Sequence, residues 1–267
     1  MSDRPRDARE AFEQTMELLW RESARPARGP KPRLSREAIV EAGIELADRG
    51  GLAAASMRAV ARSLGVGTMS LYRYVPSKDA LTDLMFDSVL ARQPKADTLP
   101  GGWRAKLEAV ARLDLALYLR HPWVLEVSIN RPPLGPGVLD TYESVLRAAA
   151  GSGLPMRELN AAADALAAYV RGAAQARVTQ LRVIRESGMS DEEWWSERND
   201  FWERYFDPER YPTITAIYAS GAYDDPPDPF DWGLQRLLDG IAAGIEAGPP
   251  AAADAERPPR APGAACE

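Results

Sequence analysis

The stretch 56–78 constrains this chain more than any other, because its spacing leaves room for only one local plan. Ser56 stands where a helix begins, and Val60, Ala61 and Leu64 follow on one helical face. Gly65 sits where a helix ends in a left-handed residue. A second short helix then combines Thr68, Met69, Ser70, Tyr72, Arg73 and Tyr74 with the inward-type residues Leu71 and Val75. Pro76 stops it, and Ser77 is placed to cap the next helix. Two short helices joined by a tight glycine turn, the second rich in hydroxyls, have the plan of a DNA-reading helix-turn-helix.

Charge decides how that plan is read. The net charge of −6 argues against nucleic acid, but its distribution reverses the inference. Between residues 25 and 78 there are ten Lys/Arg and four Asp/Glu, a local charge of +6, so the remainder carries −12. A basic module on an acidic body suits a phosphate-binding domain joined to one that stays off DNA. The single cysteine, Cys266, cannot form an intrachain disulfide or a cysteine-based metal cluster, which fits a reducing, cytoplasmic setting. One histidine, His121, argues against a His-based zinc site and a Ser-His-Asp triad. No nucleophile–base pair or Gly-rich phosphate loop supports an enzyme, and no cofactor is expected. No apolar run approaches the ~20 residues that span a bilayer, and the charged N-terminus lacks the apolar core of a signal peptide.

The whole chain reads as all-α, with no period-2 pattern and no internal repeat. Residues 1–34 form an N-terminal extension. It holds a short helix over 7–22, with Phe12, Met16 and Leu19 on one face, and a Pro/Arg-rich stretch that includes Arg33. That stretch is either a solvated linker or a basic arm that follows DNA. Residues 35–92 form the helix-turn-helix domain, opened by a helix capped by Ser35 with Ile39, Gly43 and Leu46/Ala47 facing inward, and closed by a helix bearing Leu81, Leu84, Met85 and Val89. Prolines and glycines at 94–102 mark a boundary, and residues 101–247 form a helical body. Its long helix from Pro155 to about residue 187 is alanine-rich, and a final helix over 229–247 has a continuous apolar face. These two either make a four-helix interface between two copies or serve the intrachain core. The Pro/Ala-rich tail 248–267 is expected to be disordered.

The stretch from 35 to about 90 resembles the TetR family of one-component transcriptional regulators. The resemblance is carried by Ile39, Ala42, Leu46, Ala47 and Gly51, then Ser56-Met57-Arg58, Val60-Ala61 and Leu64-Gly65-Val66, then Leu71-Tyr72-Arg73-Tyr74-Val75, Lys78 and Leu81. The run from Asp228 through Phe230, Gly233, Leu237 and Ile241 is similar to that of the tetracycline-repressor-like C-terminal subgroup. The resemblance implies an all-helical homodimer: a three-helix DNA-binding head joined through a fourth helix to a ligand-binding and dimerisation domain, paired through the 155–187 and 229–247 helices. It implies a repressor that binds a palindromic operator and is released by a small molecule. A TetR-like protein without a small-molecule effector, governed by a protein partner or constitutive, is the alternative.

On this reading Thr68, Met69 and Ser70 reach base edges, since a helix of about two turns presents only its first residues. Tyr72 and Lys78 hold phosphate, by analogy with the family string. Arg58 near the start of the preceding helix, Ser56, Arg33, Arg73 and Tyr74 complete the DNA set. For a ligand, the candidates are the aromatic and polar residues His121, Trp123, Tyr169, Arg171, Gln175 and Trp202, with Trp194 and Tyr205 beside them. Arg171 and Gln175 lie at i and i+4, one face of the long helix. Packing or surface roles stand as the alternative for each.

Overall fold

The computed structural model describes residues 4–20, 34–127, 132–224 and 226–247. Arg33 and the tail 248–267 lie outside them. Every regular element among the described residues is a helix.

The head is built from helix ends that close cleanly. α2 (Arg36–Gly50) begins at Ser35, whose hydroxyl accepts from Ala38 N at 3.2 Å. It ends at Gly51, whose φ of +73° only glycine adopts without strain, and whose N–H returns to Ala47 O. α3 (Met57–Ser63) is capped by Ser56, and α5 (Lys78–Ala91) by Ser77, in the same way. Between them Gly65, at φ +66°, turns the chain into the five-residue α4 (Thr68–Tyr72). Ile39, Val60, Leu71, Val75, Leu81 and Met85 lose essentially all accessible surface to one another. α2 and α5 cross at Gly43, where a Cβ would lie 2.7 Å from the Met85 sulfur.

The body packs α6 (Trp103–Arg120), α7 (Pro136–Ala150), α8 (Met156–Ser187) and α12 (Pro229–Ala247) around Leu107, Ala111, Leu159, Leu166, Val170, Leu234 and Leu238. Tyr169 fastens α12 to α8: its hydroxyl donates to Phe230 O at 2.8 Å and its ring stacks on Phe230. Between α8 and α12 run three short helices, α9 (Asp191–Ser196), α10 (Asn199–Arg204) and α11 (Pro212–Ala219). Aromatic side chains of this region contact one another, edge-on in Trp194–Trp195 and Trp202–Phe206 and stacked in Phe206–Tyr211.

Head and body meet where α5 lies against α7. Asp87, buried among the apolar residues of α5, accepts from Val138 N at 2.9 Å and so caps α7 from another helix. Burial pushes its carboxyl up, while hydrogen bonds from the Val138 and Gly137 backbone oppose that. The approach is close enough that a Cβ on Gly137 would lie 2.3 Å from Asp87 O.

The N-terminal extension adds α1 (Arg4–Trp20), close to the expected span. The expected face is shifted: Thr15 and Leu19 are buried, while Phe12 is half open to solvent. Trp20 Nε1 donates to Leu134 O at 2.9 Å, and Arg36 of α2 donates to Leu18 O. The helix therefore straps the start of the head to the loop before α7.

Candidate nucleic-acid interface

Leu71 and Val75, one turn apart, are fully buried and pin α4 to the head. The rest of the element is thereby turned outward. Met69 is 78% exposed, Tyr72 42% and Tyr74 37%, so neither tyrosine is a core residue. Thr68 and Ser70 are half-buried on the same short helix. Arg58, Arg73 and Lys78 are exposed and make no ion pair among the described residues, whereas Arg104, Arg112 and Arg147 of the body are held by carboxylates. Unpaired cations beside a protruding helix suit a polyanion, since no intramolecular partner must be given up on binding. Ser56 is placed differently from the rest of the set: its oxygen accepts from Ala59 N, so its first duty is to begin α3.

The residues suggested for a ligand are not gathered into one cavity. His121 and Trp123 are buried in the core shared with the head: His121 Nδ1 lies 2.6 Å from Asp48 Oδ1, and Trp123 Nε1 donates to the same oxygen at 2.8 Å. They join the 3₁₀ segment Pro122–Glu126 to the end of α2, where Glu126 also accepts from Leu52 N. Arg171 donates to the carbonyls of Leu125 and Val127, securing that segment to α8. Gln175 is exposed and Arg171 half-buried, so the two do not share an inward face. Tyr169 is engaged with α12 as described. Trp202, Trp194 and Tyr205 are exposed, with the Arg198 guanidinium 3.8 Å over the Trp194 ring. In each buried case a backbone carbonyl or a carboxylate already occupies the polar group that made the residue attractive.

Three acidic residues go unmentioned in a reading by residue type: Asp48, Asp87 and Asp114. Asp114 carried the plainest signal, a charge inside the inward stripe Leu107, Val110, Ala111, Leu117 of α6. It is half-buried, and burial pushes its carboxyl up to about 7 from 3.8. The folded state therefore holds this proton more tightly than the unfolded chain. The stability penalty is absent below about pH 4, grows as pH rises, and is complete above about pH 7, on the order of 4 kcal/mol. Asp114→Asn should accordingly stabilise the protein at pH 8 and lose that advantage by about pH 4. Denaturant titrations of both proteins across that range measure the difference, and a pH-independent difference would refute the assignment.

Among the described residues no helix is long and apolar enough to cross a membrane, and no group of three or more His, Cys, Asp or Glu is arranged for a metal ion.

Comparison with known proteins bears on both halves. Residues 39–85 match the model of the bacterial regulatory proteins of the tetR family, and residues 94–245 match the tetracyclin repressor-like C-terminal domain. The chain belongs to the TetR family. Within that family it is 46% identical over 228 residues to the HTH-type transcriptional repressor DrrR1 of Streptomyces coeruleorubidus, covering 85% of this chain and 84% of that one. It is 31% identical to an HTH-type transcriptional regulator of Saccharopolyspora erythraea, over 80% of this chain and 86% of the relative. Among solved structures it resembles ActR of Streptomyces coelicolor in complex with actinorhodin, with a TM-score of 0.65 and 25% identity over 82% of this chain and 98% of ActR. The TetR head accounts for α2 through α5, and α1 lies before the matched residues.

Proposed function

We propose that this TetR-family protein is a transcriptional repressor that binds a palindromic operator as a homodimer and is released by a small molecule. The observation that carries the DNA half is the outward face of α4 and the start of α5: exposed Met69, Tyr72 and Tyr74, with Arg58, Arg73 and Lys78, which make no ion pair among the described residues, around them. In this reading residues 35–92 are the DNA-binding domain and 101–247 the ligand and dimer domain. Dimerisation uses α8 and α12, whose exposed surfaces include Leu181, Val183 and Trp232. Two heads related by a two-fold axis then address half-sites ~34–36 Å apart. The 46% identity to a repressor supports the output, and a related fold holding actinorhodin supports release by a ligand.

Selection of duplexes from a random pool, followed by footprinting, tests this. The expected result is an inverted repeat with half-site centres about one helical turn apart. A single unrepeated site, or a monomer by light scattering, would overturn the dimeric reading.

A second reading is a TetR protein without a small-molecule effector. It is favoured by the close packing around Asp114, where the cavity measures only about 10 Å³. In that case no compound would alter operator affinity in a broad chemical screen.

A further inference from the structure

Asp114 occupies the middle of the inward stripe of α6 and makes no hydrogen bond or ion pair among the described residues. It lines the small cavity together with Gln93, Pro94, Thr141 and Ser144, where α6 and α7 meet the segment 93–96 that follows α5. Two of the hydroxyl donors around it are committed elsewhere, and the Gln93 amide lines the void without bonding the carboxyl. Thr141 Oγ1 donates to Gly137 O at 2.7 Å and receives the Lys95 ammonium. Ser144 Oγ donates to Thr141 O and accepts from Ala96 N. From α8, the Arg171 guanidinium reaches Tyr118 and is spent on the carbonyls of Leu125 and Val127. The protein thus places a half-buried carboxyl on the inward stripe of α6 with no hydrogen bond or ion pair to it among the described residues. An unpartnered carboxyl beside a void is a group that a ligand can complete.

We propose that this void is the closed form of the effector site and that Asp114 anchors a protonated amine there. This rests on the ligand-released reading and names its ligand class, an organic cation with N–H donors. A carboxylate ligand is disfavoured by the charge it would meet, and a neutral one forgoes the charge-assisted bond. A cavity of about 10 Å³ holds at most one water, so a ligand enters only when α7 draws back from α6 and the segment 93–96. Asp87 holds α7 to α5 through Val138 N, and Thr141 Oγ1 lies beside Leu90 O at 3.2 Å. A ligand that binds only the parted state loosens α5 from the body, and α5 begins at the DNA surface with Lys78.

The test uses the full-length protein, its selected operator, and three matched pairs: benzylamine, 2-naphthylmethylamine and 4-phenylbenzylamine against the corresponding carboxylates. At least one amine should raise the melting temperature and weaken operator binding by about tenfold or more, while its carboxylate does neither. Asp114→Asn should bind the operator normally and lose about tenfold or more in amine affinity, and Asp114→Leu should do the same. Equal binding of amines and acids, an unchanged amine response in both variants, or no amine binding at millimolar concentration would overturn the anchor. A carboxylate that releases the operator from wild type and Asp114→Asn alike overturns the anchor while leaving release intact. An amine that needs Asp114 yet leaves operator affinity unchanged supports the anchor and refutes release.

Discussion

A Gly137→Val chain should melt about 10 °C or more below the parent, a loss of about 3 kcal/mol or more. The reason is that its Cβ would meet a backbone atom, Asp87 O, at 2.3 Å, together with Ala91 Cβ at 2.8 Å. A flexible side chain could swing away, but the carbonyl of a helix cannot, so α7 would have to leave α5. Two companions sharpen the reading. Asp87→Ala should cost about 1–3 kcal/mol, because it strips Val138 N of its acceptor. Gly172→Ala, in the middle of α8 with open space around it, should instead stabilise by about 0.5–1 kcal/mol. Thermal and urea unfolding of the three variants decides the matter. If Gly137→Val melted like the parent, the close seating of α7 on α5 would be refuted.

Tyr72→Ala combined with Lys78→Ala should weaken operator binding by about a hundredfold at moderate salt and leave the melting temperature within about 2 °C. Both side chains are exposed, and the residues that hold the head together are Leu71 and Val75 beside them. Removing the Lys78 ammonium should also reduce the slope of log affinity against log salt by about 0.9, as expected when one fewer phosphate is neutralised. The weakening should be uniform across operator variants, because the phosphate backbone carries no sequence. Substitution of Thr68, Met69 or Ser70 should behave differently, changing which base is preferred at one position by about 1–3 kcal/mol. Fluorescence anisotropy at several salt concentrations separates the two classes. An unchanged salt slope would remove Lys78 from the phosphate set.

The head was legible in the sequence because its signals are local. Ser35, Ser56 and Ser77 each mark a helix start within three residues of the N–H they accept. Gly51 and Gly65 mark the turns by a conformation that only glycine enters freely. The end of α6 at His121-Pro122 was legible for the same reason. The polar interior was not. Asp87 finds its donor at Val138, and Asp48 finds His121 and Trp123, across long separations that no spacing rule reports. Choosing ligand residues by aromatic and polar character selected Tyr169, Arg171, His121 and Trp123, whose polar atoms are spent on tertiary bonds. The more informative sign was an acidic residue breaking an apolar period, as Asp114 does in α6.

α1 gives the basic segment after it a particular standing. Trp20 is fixed to the loop before α7, and Leu34 packs against the head core, so residues 21–33 connect two anchored points. The basic residues among them, Arg21, Arg25, Arg28, Lys31 and Arg33, are joined along the chain to an anchored residue on either side. Removing α1 takes away the first of these anchors and leaves the same charges in the chain. The affinity difference between a chain lacking residues 1–20 and one lacking 1–33 then measures the charges, and that between the full chain and the first truncation measures what α1 and its anchor contribute.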